Sequence, residues 1–558
     1  MHISERDTAH IQGNFATLKS AAVGGVPAQR LPEVVATVSA MLGDIEANGM
    51  DAVLTYAREL DGWQGTSLEI SQDDLARTGD SLTPDLREAL IASAERTRLF
   101  AVEQREHLTD FETELLPGVF TGQKYVPVGR VGAYLPAGRF PILASAFMTV
   151  GVAKAAGVRN VLACTPPTGP DGGNPAVLYA AYLAGVDRAF ALGGVQAMAA
   201  MAFGLLGEQP ADILVGAGNA YVTEAKRQLF GRVGIDLLAG PSEVAVIADE
   251  TADAELVAVD LLGQAEHGLQ SPASLVTTSH QLGEEVIRHI KKQLRTLATR
   301  DIAGPAWRDY GTVYVAEDRE TAVQIMDLLA PEHLEIQTSD DSYYHENLQN
   351  YGSIFLGPWS TVAYSDKGSS GTNHVLPTGR GARSSAGLSV ARFLKPLTFQ
   401  RVEKNATPRL ANYVTTISAF EGMEAHKAGP EIVLRFPGFT TSFTLSRFLS
   451  TQPRGRNLSF RLGVYVPSSH QGPDVPLPDV SEHAGRLRRG GRVRAVPDGS
   501  GPPVSRIVAG DRHGLSWWAG SAERGKTSPG ALMPRQALPL RRWPPASSRS
   551  VNTKISCV

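Results

Sequence analysis

Five short segments hold residues whose types and spacing could do chemistry. DLLGQAEHG (260–268) sets Gln264 and His267 three residues apart on a predicted helix, so they share a face. An imidazole nitrogen and an amide oxygen can both ligate a metal, although a polar helix end at the surface would read the same way. APEHLEI (330–336) places Glu332 beside His333, just after a helix that Pro331 helps to end. Adjacent carboxyl and imidazole groups suit general acid–base work near neutral pH; an exposed polar turn would also carry them. SDKGSSGTNHVLPT (365–378) reads as a long loop in which Asp366, Lys367, Asn373 and His374 stand among small residues, a texture that lets backbone approach a ligand closely. GAGNAY (216–221) follows the predicted strand DILV and precedes a helix, the setting for phosphate contact at a helix N-terminus. Tyr221 replaces the third glycine of the dinucleotide fingerprint, so a simple tight turn fits it as well. EGMEAH (421–426) adds Glu421 and His426 on a helix. Each segment alone is weak; five in order over about 210 residues are not.

The elements that must position these groups follow from apolar periodicity. Through the first 120 residues, stretches such as LPEVVATVSAMLGDIEANG (31–49) and LREALIASAERTRLFAVEQREHL (86–108) repeat apolar residues every three or four positions, predicting helices. From about 125, β-branched runs (NVLACTPP, RAFALGG, DILVGAGN, EVAVIADE, SLVTTS, GTVYVAED, GSIFLG) alternate with helical ones. That alternation predicts βαβ units and mainly parallel sheets, an α/β fold. A small helical region is expected near 387–436.

The chain has 558 residues and a formal net charge of −4. This near-neutral total hides two parts. Residues 441–558 carry 18 Lys+Arg against 6 Asp+Glu, leaving 35 against 51 in residues 1–440. The basic part holds 13 Pro, 13 Gly and 16 Ser, and 16 of its 18 cations are Arg, with no apolar periodicity. It reads as a disordered tail. An acidic body argues against nucleic acid as the main ligand. No purely apolar run reaches the roughly 18 residues of a membrane span, and the opening MHISERDTAHIQGNF lacks the apolar core of a signal peptide. Two cysteines, Cys164 and Cys557, exclude a disulfide framework and suit a reducing cytoplasm. Cys164, in a predicted strand, is expected to be a buried packing residue rather than a nucleophile.

Taken in order, VGAYLPAG, PAVLYAAYLAGV, GGVQAMAAMAFG, VGAGNAYVTEAK, IDLLAGPSEVAVIAD, DLLGQAEHG, APEHLEI, GTNHVLPT and EGMEAH resemble histidinol dehydrogenases over residues 15–437. The tail has no counterpart in that family. The resemblance implies a homodimeric, zinc-dependent enzyme that oxidises an alcohol through an aldehyde to a carboxylate with two NAD⁺. Carried over by position, Gln264, His267, Asp366 and His426 would bind Zn²⁺, His426 reaching a neighbouring subunit's site. His333 would be the general base and Glu332 the group that orients the attacking water. Tyr134, Gln196 and Asn219 would contact NAD⁺, and Ser242 and Glu421 the substrate. It also implies two Rossmann-like α/β domains with an incomplete fingerprint: residues 31–133 with 240–384 as the first, bearing the metal and catalytic loops, and 134–239 as the second, on the NAD⁺ side. A 1–30 arm, a swapped helical region at 385–438 and the disordered tail at 439–558 complete the expected organisation.

Departures from the family bear on substrate. Pro136-Ala137-Gly138 stands where the family carries Pro-Gly-Gly, and Asp366-Lys367 where histidinol dehydrogenases carry Asp-Tyr. The Ser-Asp-Lys form resembles a branch that includes sulfopropanediol 3-dehydrogenase. A fixed ammonium at Lys367 would favour an anionic substrate and repel a cationic amine; a lysine turned to solvent would do neither. L-histidinol and a sulfonated diol are therefore both expected substrates. A catalytically impaired homologue with a dislocated C-terminus is the reading from another class.

Overall fold

Strand–helix alternation folds here into two mainly parallel six-stranded sheets. The computed structural model describes residues 3–22, 31–138, 140–169, 172–207 and 209–435. The expected tail at 439–558 lies outside the described residues. In the first sheet the spatial order is Phe15–Lys19, Thr312–Ala316, Ala273–Thr277, Val244–Ala248, His333–Gln337 and Ser353–Leu356. All its pairings are parallel except that of Phe15–Lys19. Central strands such as VAVIA and ASLVT are buried at every position, as continuous apolar strands covered on both faces should be.

The strand His333–Gln337 breaks that rule. Its sequence alternates, and successive side chains of a strand point to opposite faces. Leu334 and Ile336 pack with Ile325 and Met326 in one core. His333, Glu335 and Gln337 are equally buried but share the other face.

The second sheet runs Gly234–Ile235, Ile213–Val215, Arg130–Tyr134, Asn160–Thr165, Arg188–Ala191 and Glu69–Ile70. From Arg130–Tyr134 the chain adds strands on one side and then crosses to Ile213–Val215 on the other. The crevice at the carboxyl ends of those two strands is the topological switch point, where open α/β sheets bind ligands.

Two expectations need correction. Residues 31–133 belong with the second sheet, not with 240–384. Val34 and Val38 of the helix Pro32–Asn48 pack with Leu162 and Leu214, and Leu90 and Ala94 of Pro84–Glu106 pack with Val131 and Val161. The 1–30 arm instead supplies an edge strand to the first sheet. Helical periodicity reveals an apolar face but not the sheet it will cover. The 385–438 region also opens on a strand, Leu394–Val402, paired antiparallel with Val119–Pro127 at the edge of a three-stranded sheet. Pro396 disfavours a helix interior and is tolerated in an edge strand. Among the described residues there, Val390–Phe393 is a single 3-10 turn, and Thr407–Glu421 and Glu424–Arg435 are α-helical. These two helices pack chiefly on each other, and Ile417, Phe420, Ile432 and Val433 are exposed, Phe420 at 95%. Among the described residues no helix is long and apolar enough to cross a membrane.

Candidate active site

The amino ends of Val244–Ala248 and His333–Gln337 lie side by side, Val244 opposite His333. The residues leading into these strands therefore converge. The Ser242 hydroxyl donates to Glu332 Oε2 at 2.7 Å, and the Glu243 N–H donates to the same oxygen at 2.8 Å. The Gln264 amide donates to Ser242 Oγ at 2.5 Å. His333 Nδ1 stands 3.1 Å from the Glu243 carbonyl oxygen and 3.4 Å from Glu332 Oε2. A ring that donates from Nδ1 to a carbonyl leaves Nε2 as the free base. That Nε2 is buried and has no hydrogen-bond partner.

The third element arrives from the 365–378 segment, which begins as a helix rather than a loop. Val362–Asp366 is a short helix capped by Thr361, and it ends on Asp366. Asp366 Oδ1 is 3.6 Å from His333 Nε2, and its Oδ2 is 3.6 Å from His267 Nε2. Both gaps are wider than a hydrogen bond. The loop is pinned from behind: His374 Nδ1 lies 3.1 Å from the Asp366 carbonyl oxygen and His374 Nε2 3.2 Å from Ser145 Oγ, and Asn373 donates to the Met148 carbonyl at 2.9 Å.

Burial and charge compete in this cluster. Burial pulls His333 down, but Glu332 and Asp366 outweigh it and push the ring up to about 9. For His267 and His374 burial wins, and both are lowered. Burial raises Asp366, and the surrounding His333, His374, His267 and Lys367 more than offset that, holding its carboxyl below the usual range. Lys367 is exposed, yet its charge is felt at both Asp366 and His267. Glu243 is pushed up to about 7 by its burial, with Glu332 adding to the effect.

On the second sheet, the switch point carries Tyr134 at the end of one strand and Gly216–Asn219 at the end of the other. Asn219 caps the helix Ala220–Leu229, accepting from the Tyr221 and Val222 N–H groups. Gly216 has φ +115°, and a Cβ there would stand 2.3 Å from the Tyr134 carbonyl oxygen, so only glycine fits. A buried ion pair holds this turn. Lys226 pairs with Asp236, and Lys226 donates to the Gly216 carbonyl at 2.9 Å while the Gly216 N–H donates to Asp236 at 2.7 Å. Tyr134 accepts from the Gly194 N–H at 3.3 Å, and burial pushes its phenol up to about 12. Gln196 donates to Asp61 at 2.9 Å, leaving its own oxygen buried and without a partner.

Of the sequence-expected residues, Ser242, Gln264, His267, Glu332, His333 and Asp366 are brought together, with Lys367 at the rim. Tyr134 and Gln196 share neighbours at Gly193–Gly194, and Asn219 stands at the switch point. Glu421 and His426 are not brought in; both are exposed on the C-terminal helix pair. Cys164 is fully buried in a strand and its thiol is pushed up by burial. Glu243, Ser145 and Asp61 escaped the sequence reading, and His374 was noted there without a role. His374 was visible in its segment and Glu243 in GPSE, but Asp61 has no motif.

The donor chemistry suits a zinc ion with one ligand missing. Gln264 spends an amide N–H on Ser242 and keeps its oxygen as a neutral donor, and His267 and Asp366 face one another across a gap too wide for a hydrogen bond. The fourth donor expected from the sequence, His426, stands exposed on the C-terminal helices instead. Consistent with that shortfall, no group of three or more His, Cys, Asp or Glu side chains among the described residues is arranged to hold a metal.

Comparison with known proteins finds relatives over most of the chain. The family model for histidinol dehydrogenase matches residues 26–434. A histidinol dehydrogenase homolog of Ruegeria pomeroyi is 48% identical over 422 residues, covering 75% of this chain and 96% of its own. A sulfopropanediol 3-dehydrogenase of the same organism is 44% identical over 420 residues, covering 74% and 95%. The crystal structure of histidinol dehydrogenase from Elizabethkingia anophelis is 33% identical with a TM-score of 0.70, covering 74% of this chain and 94% of that one. The chain is a member of the histidinol dehydrogenase family, a family of oxidoreductases.

Proposed function

We propose that this protein catalyses a zinc-dependent, NAD⁺-linked, four-electron oxidation of a primary alcohol to a carboxylate by way of the aldehyde. The observation that carries the reading is the convergence of Gln264, His267 and Asp366 on a histidine whose Nε2 is buried and unpartnered. When bound, zinc supplies Lewis acidity at the alcohol oxygen and NAD⁺ supplies the hydride acceptor. In its neutral form, favoured only on the alkaline side for a ring raised to about 9, His333 takes the hydroxyl proton at Nε2, its ring held by the Glu243 carbonyl at Nδ1. In the second half-reaction it takes a proton from water, oriented by the Glu332 carboxylate that Ser242 and Glu243 fix in place. Each half-reaction moves one hydride, so two NADH form per alcohol and one water is consumed.

Tyr134, Gln196 and Asn219 are the proposed dinucleotide contacts, supported by their place at or beside a topological switch point and by the orphaned Gln196 oxygen. The missing zinc donor and the exposed apolar C-terminal helices support a homodimer in which His426 of a second copy completes the site and Glu421 meets substrate. The expected result in solution is a dimer by sedimentation, holding one zinc per chain. Replacing His426 with alanine should release the metal without dissociating the dimer.

L-histidinol, oxidised to L-histidine, is the leading substrate on family grounds. One observation favours the alternative, 2,3-dihydroxypropane-1-sulfonate oxidised to sulfolactate: Lys367 sits at the rim of the site, close enough for its charge to act on Asp366 and His267. Steady-state turnover of both alcohols, with NADH counted per substrate, decides between them. If the sulfonate is the substrate, Lys367→Ala should cost about 1.5–3 kcal/mol in its kcat/KM through loss of a charged hydrogen bond. Efficient turnover of histidinol by wild type, unchanged by Lys367→Tyr, would count against the sulfonate.

A further inference from the structure

Beside the site lies a largely buried polar layer to which the mechanism gives no role. Asp260 sits on the helix Ala254–Ala265, one turn before Gln264 and two before His267. Such spacing puts Asp260 and Gln264 on one helical face; His267 stands in the turn just past the helix's end. Glu335 and Gln337 share the strand face of His333. The Gln337 amide donates to Asp260 Oδ2 at 3.0 Å and to Glu335 Oε2 at 3.3 Å, so the two carboxyls meet on one nitrogen. Both groups also reach the helix that ends on Asp366. The Thr361 hydroxyl donates to Asp260 Oδ1 at 2.8 Å, and the Val362 N–H donates to Glu335 Oε1 at 2.8 Å.

We propose that Asp260 and Glu335 form a carboxyl–carboxylate pair sharing one proton, and that this pair is a positioning clamp joining the three elements that carry Gln264 and His267, His333, and Asp366. Two carboxylates gathered on one amide, Glu335 buried and Asp260 half-buried, strongly disfavour double ionisation. One proton therefore remains, and it turns what would be a repulsion into a bond. Glu335, only 1% exposed, is the member held neutral, and its O–H donates to Asp260. Every other donor around the pair comes from one of the elements being joined, so the clamp fixes their relative distances from beside the site while leaving the site itself open to ligands. Outer partners of this kind commonly change metal affinity 10–100-fold when removed.

The inference rests on the zinc site proposed above, and the test separates the two. Zinc affinity of the full-length protein is measured by competition with a chromogenic chelator, beside kcat and KM. Glu335→Gln keeps a donor where the acid O–H was and should hold zinc within about threefold of wild type, whereas Glu335→Leu, of similar bulk, should bind it about 10–100-fold more weakly with the loss of activity falling on kcat rather than KM. Thr361→Val, which removes one hydroxyl, should weaken zinc by a smaller factor. It carries the test alone if Glu335→Leu does not fold. Unchanged zinc affinity in the folded leucine or valine variant, or equal losses in Glu335→Gln and Glu335→Leu, overturns the clamp. His267→Ala is the control: if it too retains zinc, the metal assignment itself has failed.

Discussion

Replacing His333 with asparagine is expected to lower alcohol oxidation by about 10²–10⁴-fold, the range that a positioned general base contributes, while zinc content stays at wild-type level. The geometry sets up the contrast. Asparagine can still donate to the Glu243 carbonyl that holds Nδ1, so the strand end need not shift. What disappears is the buried Nε2, which faces Asp366 across 3.6 Å and has no other partner. Glu332→Gln should separate the half-reactions, slowing oxidation of supplied aldehyde more than oxidation of the alcohol. Glutamine keeps an oxygen for Ser242 and the Glu243 N–H but loses the charge that orients water. Pre-steady-state NADH formation from alcohol and from aldehyde reads both effects. If both variants turn over at near wild-type rates, the acid–base roles are wrongly assigned.

The second large effect is expected far from the reacting atoms. Asp236→Ala leaves Lys226, only 3% exposed, buried without its counter-ion, and breaking such a pair costs about 3–5 kcal/mol. The melting temperature should fall by roughly 6–20 °C on the scale of 2–4 °C per kcal/mol for a domain of this size. The same change removes the acceptor for the Gly216 N–H and the 2.6 Å bond from the Leu237 N–H. The glycine turn that presents Asn219 is then held only by Lys226, so KM for the dinucleotide should rise in whatever fraction remains folded. Calorimetry and initial rates at varied NAD⁺ test the two parts separately. A melting temperature within about a degree of wild type would mean that Lys226 finds water.

Local signals and tertiary facts differed in how well the sequence displayed them. Gln264 and His267 were legible as a pair because helical spacing is a local property. The strand His333–Gln337 was legible as apolar–polar alternation, but its polar face gave no sign that it was buried, since the groups that satisfy it come from residues 260, 361 and 362. Asp61 was invisible for the same reason: a helix-end carboxylate becomes part of a site only when Gly193 and Gln196 are folded against it. The helices of 31–106 showed their apolar faces clearly and still did not reveal which sheet they would cover. The C-terminal strand was missed because Leu394–Val402 is a nine-residue run whose partner lies more than 250 residues earlier. Glu421 and His426 mark the other limit, because the ligand set proposed above draws on a second copy and so cannot be completed within one chain.

That the two groups of residues sit at unlike strand ends of separate sheets has a kinetic consequence. The proposed acid–base cluster hangs from the amino ends of one sheet, and the proposed dinucleotide contacts from the carboxyl ends of the other. In a reaction that uses two dinucleotides in succession, the first must leave and the second must enter while the aldehyde waits. With the two sets of contacts rooted in separate scaffolds, traffic on one need not loosen the grip of the other. The partitioning of the aldehyde between escape and further oxidation then depends on how its dwell time compares with cofactor exchange, and trapping free aldehyde at limiting NAD⁺ would measure that ratio directly.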